Sequence, residues 1–205
     1  MKRVTSLAAA AVLATAFAGS AVANEAFRGP LGVLTNEPGV TEGYVLLTPQ
    51  HSKTTYLIDN NGKIVNKWES EYKGFWGELK ADGTLSRHGR LPEMDETGLW
   101  LFGGAAGIME EFDWDGKKIW EYRMYIPGKE ISHHTYEIMP NGNYLLLGWE
   151  YKSYDEAVAK GRRKGTLPAK ADPKAKYQYD GLWEDYIVEV DKDGREVWSW
   201  HTWDH

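Results

Sequence analysis

One short pattern recurs three times along the chain and restricts its fold more than any other feature. Asp59-Asn60-Asn61-Gly62-Lys63-Ile64 leads to Trp68, Asp113-Trp114-Asp115-Gly116-Lys117-Lys118-Ile119 to Trp120, and Asp191-Lys192-Asp193-Gly194-Arg195-Glu196-Val197 to Trp198. An Asn-Gly or Asp-Gly pair supplies the positive-φ positions of a tight turn, and apolar residues on the flanks (Tyr56 and Ile58; Met109 and Phe112; Ile187 and Val190) mark strands, so each copy reads as a β-hairpin. A second hairpin signal, Leu79-Lys80-Ala81-Asp82-Gly83-Thr84-Leu85, returns as Ile138-Met139-Pro140-Asn141-Gly142-Asn143-Tyr144 and interleaves with the first. Gly62, Gly116 and Gly194 are 54 and 78 residues apart, and Gly83 and Gly142 are 59 apart. A unit of about 50 residues with four strands is the size of a propeller blade. The expected fold is therefore all-β: a β-propeller of about three four-stranded blades near residues 43–70, 76–124 and 134–200, with one short helical insertion at 151–180. The Trp closing each first-type hairpin is expected to wedge between neighbouring sheets.

Composition agrees with that class. Ten Trp and twelve Tyr against five Phe, with 22 Gly, suit many short strands joined by tight turns. The chain has no Cys, so thiolate metal sites, cysteine nucleophiles, c-type haem attachment and disulfides are all excluded. A formal charge of -6, without a long basic block, argues against nucleic acid as a partner. Residues 1–23 have the form of a signal peptide: Lys2 and Arg3, an apolar run from Leu7 to Ala18, then Ala21-Val22-Ala23. The run is too short to suggest a membrane span, and a periplasmic or secreted location is expected for residues 24–205. The insertion opens with Ser153-Tyr154-Asp155-Glu156, a capping box that Gly161 would close, and its Arg162, Arg163 and Lys164 read as a solvated loop or as a basic lid for an anion.

Candidate chemistry gathers on two stretches. His133-His134 falls on the inner strand of its blade; because neighbours on a strand face opposite sides, one imidazole is expected to reach a ligand and the other to support it. Ser86-Arg87-His88-Gly89-Arg90 reads either as an exposed strand exit or as a place where Arg87 or Arg90 grips a sulfate oxygen. His201 and His205 have helix spacing on a strand-like segment, so no metal site is expected. Gly103-Gly104-Ala105-Ala106-Gly107 reads as an inter-strand turn.

These residues resemble the bacterial aryl-sulfate sulfotransferases. The resemblance runs from about Gly43 to His205 and is carried by Thr54-Thr55-Tyr56-Leu57-Ile58-Asp59, Glu111-Phe112-Asp113-Trp114-Asp115-Gly116, His133-His134 with Met139-Pro140-Asn141-Gly142-Asn143, and Trp198-Ser199-Trp200-His201-Thr202-Trp203-Asp204-His205. It implies an exported propeller that needs no cofactor and moves a sulfuryl group from an aryl sulfate donor to a phenolic acceptor through a sulfo-histidine. In that family the sulfated histidine lies beyond the Trp-Asp-His motif, so His133 and His134 carry over as catalytic residues that stabilise the transfer. Arg87, Arg90 and His205 are the substrate-binding candidates, and Thr135 stands where relatives often have Asp. The chain is then expected to be an N-terminal portion of the enzyme, with self-association through exposed blade edges as a further expectation. The competing expectations are a non-catalytic exported propeller that binds a ligand, and a quinoprotein-type dehydrogenase.

Overall fold

A computed structural model describes residues 32–93, 103–167 and 181–205. The chain divides after Leu34, and the fold below belongs to Thr35–His205; the signal-peptide segment and the later part of the insertion lie outside the described residues. The described chain is all-β, with twelve strands in three antiparallel sheets, each laid down in chain order. The first sheet holds β1 (Tyr44–Leu47), β2 (Thr54–Asp59) and β3 (Ile64–Glu69). The second holds β4 (Lys73–Leu79), β5 (Leu85–Arg90), β6 (Gly107–Phe112) and β7 (Lys118–Arg123). In the third, β8 (Tyr125–Ile126), β9 (Glu130–Ile138), β10 (Tyr144–Ser153), β11 (Gly181–Val190) and β12 (Glu196–His201) follow one another, and Thr202–Asp204 ends the chain's regular structure as a 3-10 turn. Four strands per sheet is thus met only in the second. The extra strand β8 forms because a turn at Gly128, closed by the Lys129 N–H on the Ile126 carbonyl, folds the chain back onto β9.

The first-type hairpins join β2 to β3, β6 to β7 and β11 to β12, and the second type joins β4 to β5 and β9 to β10. In the first type only the glycine has positive φ, at 78°, 87° and 77° for Gly62, Gly116 and Gly194. The Asp at the head of each loop binds the loop together: Asp59 Oδ1 accepts from the N–H groups of Asn61 and Lys63, and Asp191 Oδ1 from those of Asp193 and Arg195. These are three-residue loops ending in a glycine bulge, one residue longer than a two-residue hairpin turn. Each hairpin therefore breaks register at the same place, between Leu57 and Ile58, Glu111 and Phe112, and Glu189 and Val190.

The sheets pack in sequence order. Leu57 and Trp68 of the first meet Leu85 and Phe112 of the second, while Met109 and half-buried Trp120 of the second meet Tyr144, Leu146, Val188 and Val190 of the third. The second sheet is covered on both faces, and all six residues of β6 are buried. Its two adjacent glutamates point opposite ways and each finds cations. Glu110 takes Arg87 Nη1 at 2.7 Å and the Ser70 hydroxyl, and Glu111 takes Lys192 Nζ at 2.6 Å, Lys80 Nζ and the Tyr144 hydroxyl. The helix α1 (Tyr154–Ala159) opens on the Ser153–Glu156 capping box and closes as a Schellman turn, with Arg162 N–H on the Ala157 carbonyl and Gly161 N–H on that of Val158. Among the described residues no helix is long and apolar enough to cross a membrane.

Candidate functional site

An inner strand of the second sheet, β5, supplies the first histidine. Along β5, Leu85 and Arg87 face the first sheet, so Ser86 and His88 face the third. His88 is fully buried, and its bonds fix its tautomer. Nδ1 lies 3.3 Å from the His134 carbonyl, which can only accept, so Nδ1 carries the hydrogen. Nε2 then accepts from the Ser132 hydroxyl at 2.8 Å, and that oxygen in turn accepts the Gly107 N–H at 2.9 Å. Burial, together with the neighbouring His133 and His134, pushes the His88 pKa down to about 3.

The other two histidines come from β9, and here the structure corrects the alternation argument. Ser132 pairs with Gly148 and Tyr136 with Leu146, so three residues on β9 oppose one on β10. This bulge is built on His134, whose φ of 55° is left-handed. It turns the two imidazoles toward each other, Nδ1 to Nδ1 at 2.9 Å, where a regular strand would hold them on opposite faces. His133 is buried (4% exposed) and stacks on Trp149 with ring centres 4.1 Å apart. His134 is exposed, with its ring edges against Phe75 and Trp149. Its backbone N–H donates to the Gly104 carbonyl at 2.7 Å, and a Cβ on Gly104 would stand 2.1 Å from the His134 ring. The Gly103–Gly107 stretch thus lets the second sheet approach this imidazole closely.

Asp185 on β11 completes the line. Its Oδ1 is 3.1 Å from His133 Nε2, at ion-pair distance though off the direction of a hydrogen bond. Burial pushes the His133 pKa down to about 4 against the opposing pull of Asp185, so His133 is neutral near pH 7. With its hydrogen on Nε2, facing Asp185, its Nδ1 is a bare acceptor, and His134 must supply the hydrogen between the two rings. His134 Nε2 is then the outward atom, either a lone pair or, in the imidazolium, a donor backed by the neutral ring and the carboxylate behind it.

The remaining candidates lie elsewhere. Arg87 is not at an exposed strand exit: it is fully buried, its Nη1 on Glu110 and its Nη2 on the Tyr72 carbonyl at 2.7 Å, so its guanidinium serves the contact between the first and second sheets. Arg90 is half-buried at the end of β5, opposite Lys73 and Gly107. His205 is exposed and stacks on Trp200 with centres 5.2 Å apart, while His201 stacks on Tyr186 and bonds Glu150. Arg162, Arg163 and Lys164 are exposed beyond α1. Sequence reasoning missed His88, Ser132 and Asp185; the only advance signal was the position of His88 inside a stretch read for its arginines.

The arylsulfotransferase (ASST) family matches residues 21–205. The chain belongs to the arylsulfotransferase family. No curated protein matches it at a significant level. A solved structure of a protein of unknown function from Bacteroides caccae is similar at 13% identity with a TM-score of 0.42, over 78% of this chain and 46% of that one. The arylsulfotransferase chain thus spans less than half the length of that protein.

Proposed function

We propose that the three sheets are consecutive blades of an exported propeller and that the chain takes part in moving a sulfuryl group from an aryl sulfate to a phenol, with His134 binding the group in transfer. The single observation that supports this role is the line from exposed His134 through neutral His133 to Asp185 in a chain of this family. In the transfer the ester S–O bond breaks, its electron pair leaves with the phenolic oxygen, and an S–N bond forms on a nucleophilic imidazole. The resemblance puts that imidazole in a part of the enzyme beyond the Trp203-Asp204-His205 motif. Negative charge spreads over the sulfuryl oxygens, and a fixed N–H donor stabilises it more than it stabilises the bound ester. In the imidazolium, His134 Nε2–H is such a donor: its other nitrogen is held by His133, and its ring is wedged by Phe75, Trp149 and Gly104. The signal-peptide form of residues 1–23 supports the export part of the reading.

The test is turnover of a chromogenic aryl sulfate with a phenol acceptor by the enzyme that also holds the nucleophilic imidazole. His134→Ala is expected to lower kcat by about 100-fold or more with the fold intact. Unchanged turnover in that variant would sink the assignment. Binding of the sulfate ester without turnover, abolished by the same substitution, would favour the ligand-binding alternative.

A further inference from the structure

His88 grips the bulge of β9 at two points. Its Nε2 accepts the Ser132 hydroxyl at 2.8 Å where the bulge begins, and its Nδ1–H lies 3.3 Å from the His134 carbonyl at the centre of the bulge. Ser132 is itself fixed, its hydroxyl oxygen accepting the Gly107 N–H at 2.9 Å and its backbone N–H donating to the Met124 carbonyl at 2.9 Å. The His88 ring has little freedom of its own. It is fully buried, and the rings of Tyr136 and Phe75 meet it edge to face with centres 6.0 and 6.4 Å away.

Both backbone polar groups of His134 are thus held from outside its own hairpin. Its N–H is on the Gly104 carbonyl at 2.7 Å, and its carbonyl is on His88. Fixing the N–H and the carbonyl of one residue fixes its φ and ψ, and with them the direction of its Cα–Cβ bond. That constraint matters at His134, whose φ is 55°, because a non-glycine residue keeps a left-handed φ only where its surroundings over-determine it.

We infer that His88 is a positioning residue for sulfuryl transfer: by clamping the His134 carbonyl it holds the bulge, keeps His134 Nδ1 on His133 and aims His134 Nε2 outward. The inference rests on the reading of His134 proposed above. His88 touches neither the sulfate ester nor the phenol, since its ring is sealed between the second and third sheets. Its effect passes through the angle of the His134 ring, and a shift of about 1 Å at a catalytic group is enough to cost about 100-fold in rate.

Two amide substitutions separate the ends of the clamp. His88→Asn keeps an N–H at the place of Nδ1 and leaves Ser132 without its acceptor, whereas His88→Gln keeps an acceptor at the place of Nε2 and leaves the His134 carbonyl without its donor. In the enzyme that also holds the nucleophilic imidazole, His88→Gln is expected to lower kcat by about 100-fold with KM little changed, and His88→Asn to restore most of it. A merely structural His88 would rank the variants by stability, with the shorter asparagine, which leaves the larger void, the more impaired. Histidine 15N spectra of the same proteins read the clamp directly. The parent is expected to show His88 protonated on Nδ1 alone and the His134 Nδ1–H bonded to His133, and that second signal is expected to persist in His88→Asn and vanish in His88→Gln. His88 protonated on Nε2 in the parent, or His88→Asn impaired as much as His88→Gln, would overturn the inference, and the parent spectrum decides even where a variant fails to fold. An unchanged His134 signal in His88→Gln beside turnover lost in His134→Ala would strike the inference alone. Unchanged turnover in His134→Ala beside a lost His134 signal in His88→Gln would strike the site reading and leave the clamp.

Discussion

Acidification should destabilise this protein through His88 well before its carboxylates titrate. An ordinary histidine takes a proton near pH 6.5, but the folded His88 resists down to about 3 because full burial penalises the charged ring and the neighbouring His133 and His134 add to it. The unfolded chain therefore binds one more proton than the folded chain across that interval. The sign follows: stability is fully present above pH 6.5 and is lost as the pH falls from there toward 3. At about 1.4 kcal/mol per pH unit, lowering the pH from 7.5 to 5 costs about 2 kcal/mol from this residue. Urea unfolding at half-unit pH steps measures it, with His88→Gln as the control, since an amide preserves a polar side chain but cannot titrate. The difference in slope between parent and variant, about 1.2 kcal/mol per pH unit near pH 5.5, isolates His88 from His133 and the acids. Parallel curves for the two proteins, or an imidazole titrating near 6.5 in the folded state by NMR, would refute the reasoning.

Two further expectations concern the neighbouring groups. Arg87→Met leaves Glu110 buried without its cation and should lower unfolding stability by about 3–5 kcal/mol in urea melts, much of it recovered when Glu110→Leu is added. Gly104→Ala places a methyl group where the His134 ring now sits; it should displace that ring and cut sulfuryl transfer at least as much as it cuts stability, measured by turnover beside thermal unfolding.

The hairpins were legible because their chemistry is local. Asp, Gly and the alternating apolar flanks act within seven residues of one another, and the capping box of α1 acts within four. Five hairpins and one helix therefore stand where Gly62, Gly83, Gly116, Gly142, Gly194 and Ser153 announced them. Strand number per sheet was less legible, since β8 depends on a two-residue pairing with β9. The site was legible only at His133 and His134. Their mutual orientation depends on a bulge that needs positive φ at a histidine, for which the sequence carries no signal. Arg87 was misread for a related reason: a strand's exposed and buried positions are told apart by what packs on it, and β5 turns out to be covered on both faces.

The joints between sheets also bear on how such an array tolerates change. In each internal joint the donor is a side chain but the acceptor is a main-chain carbonyl, at Trp114 in one case and Lys192 in the other. A carbonyl is offered by every residue, so tryptophan and lysine serve equally as acceptors of this bond. The donor position is held to side chains with an N–H at the right reach, and asparagine and tryptophan both qualify. That one bond is thus specified from the donor side, while side-chain contacts such as Lys192 on Glu111 distinguish one joint from the other.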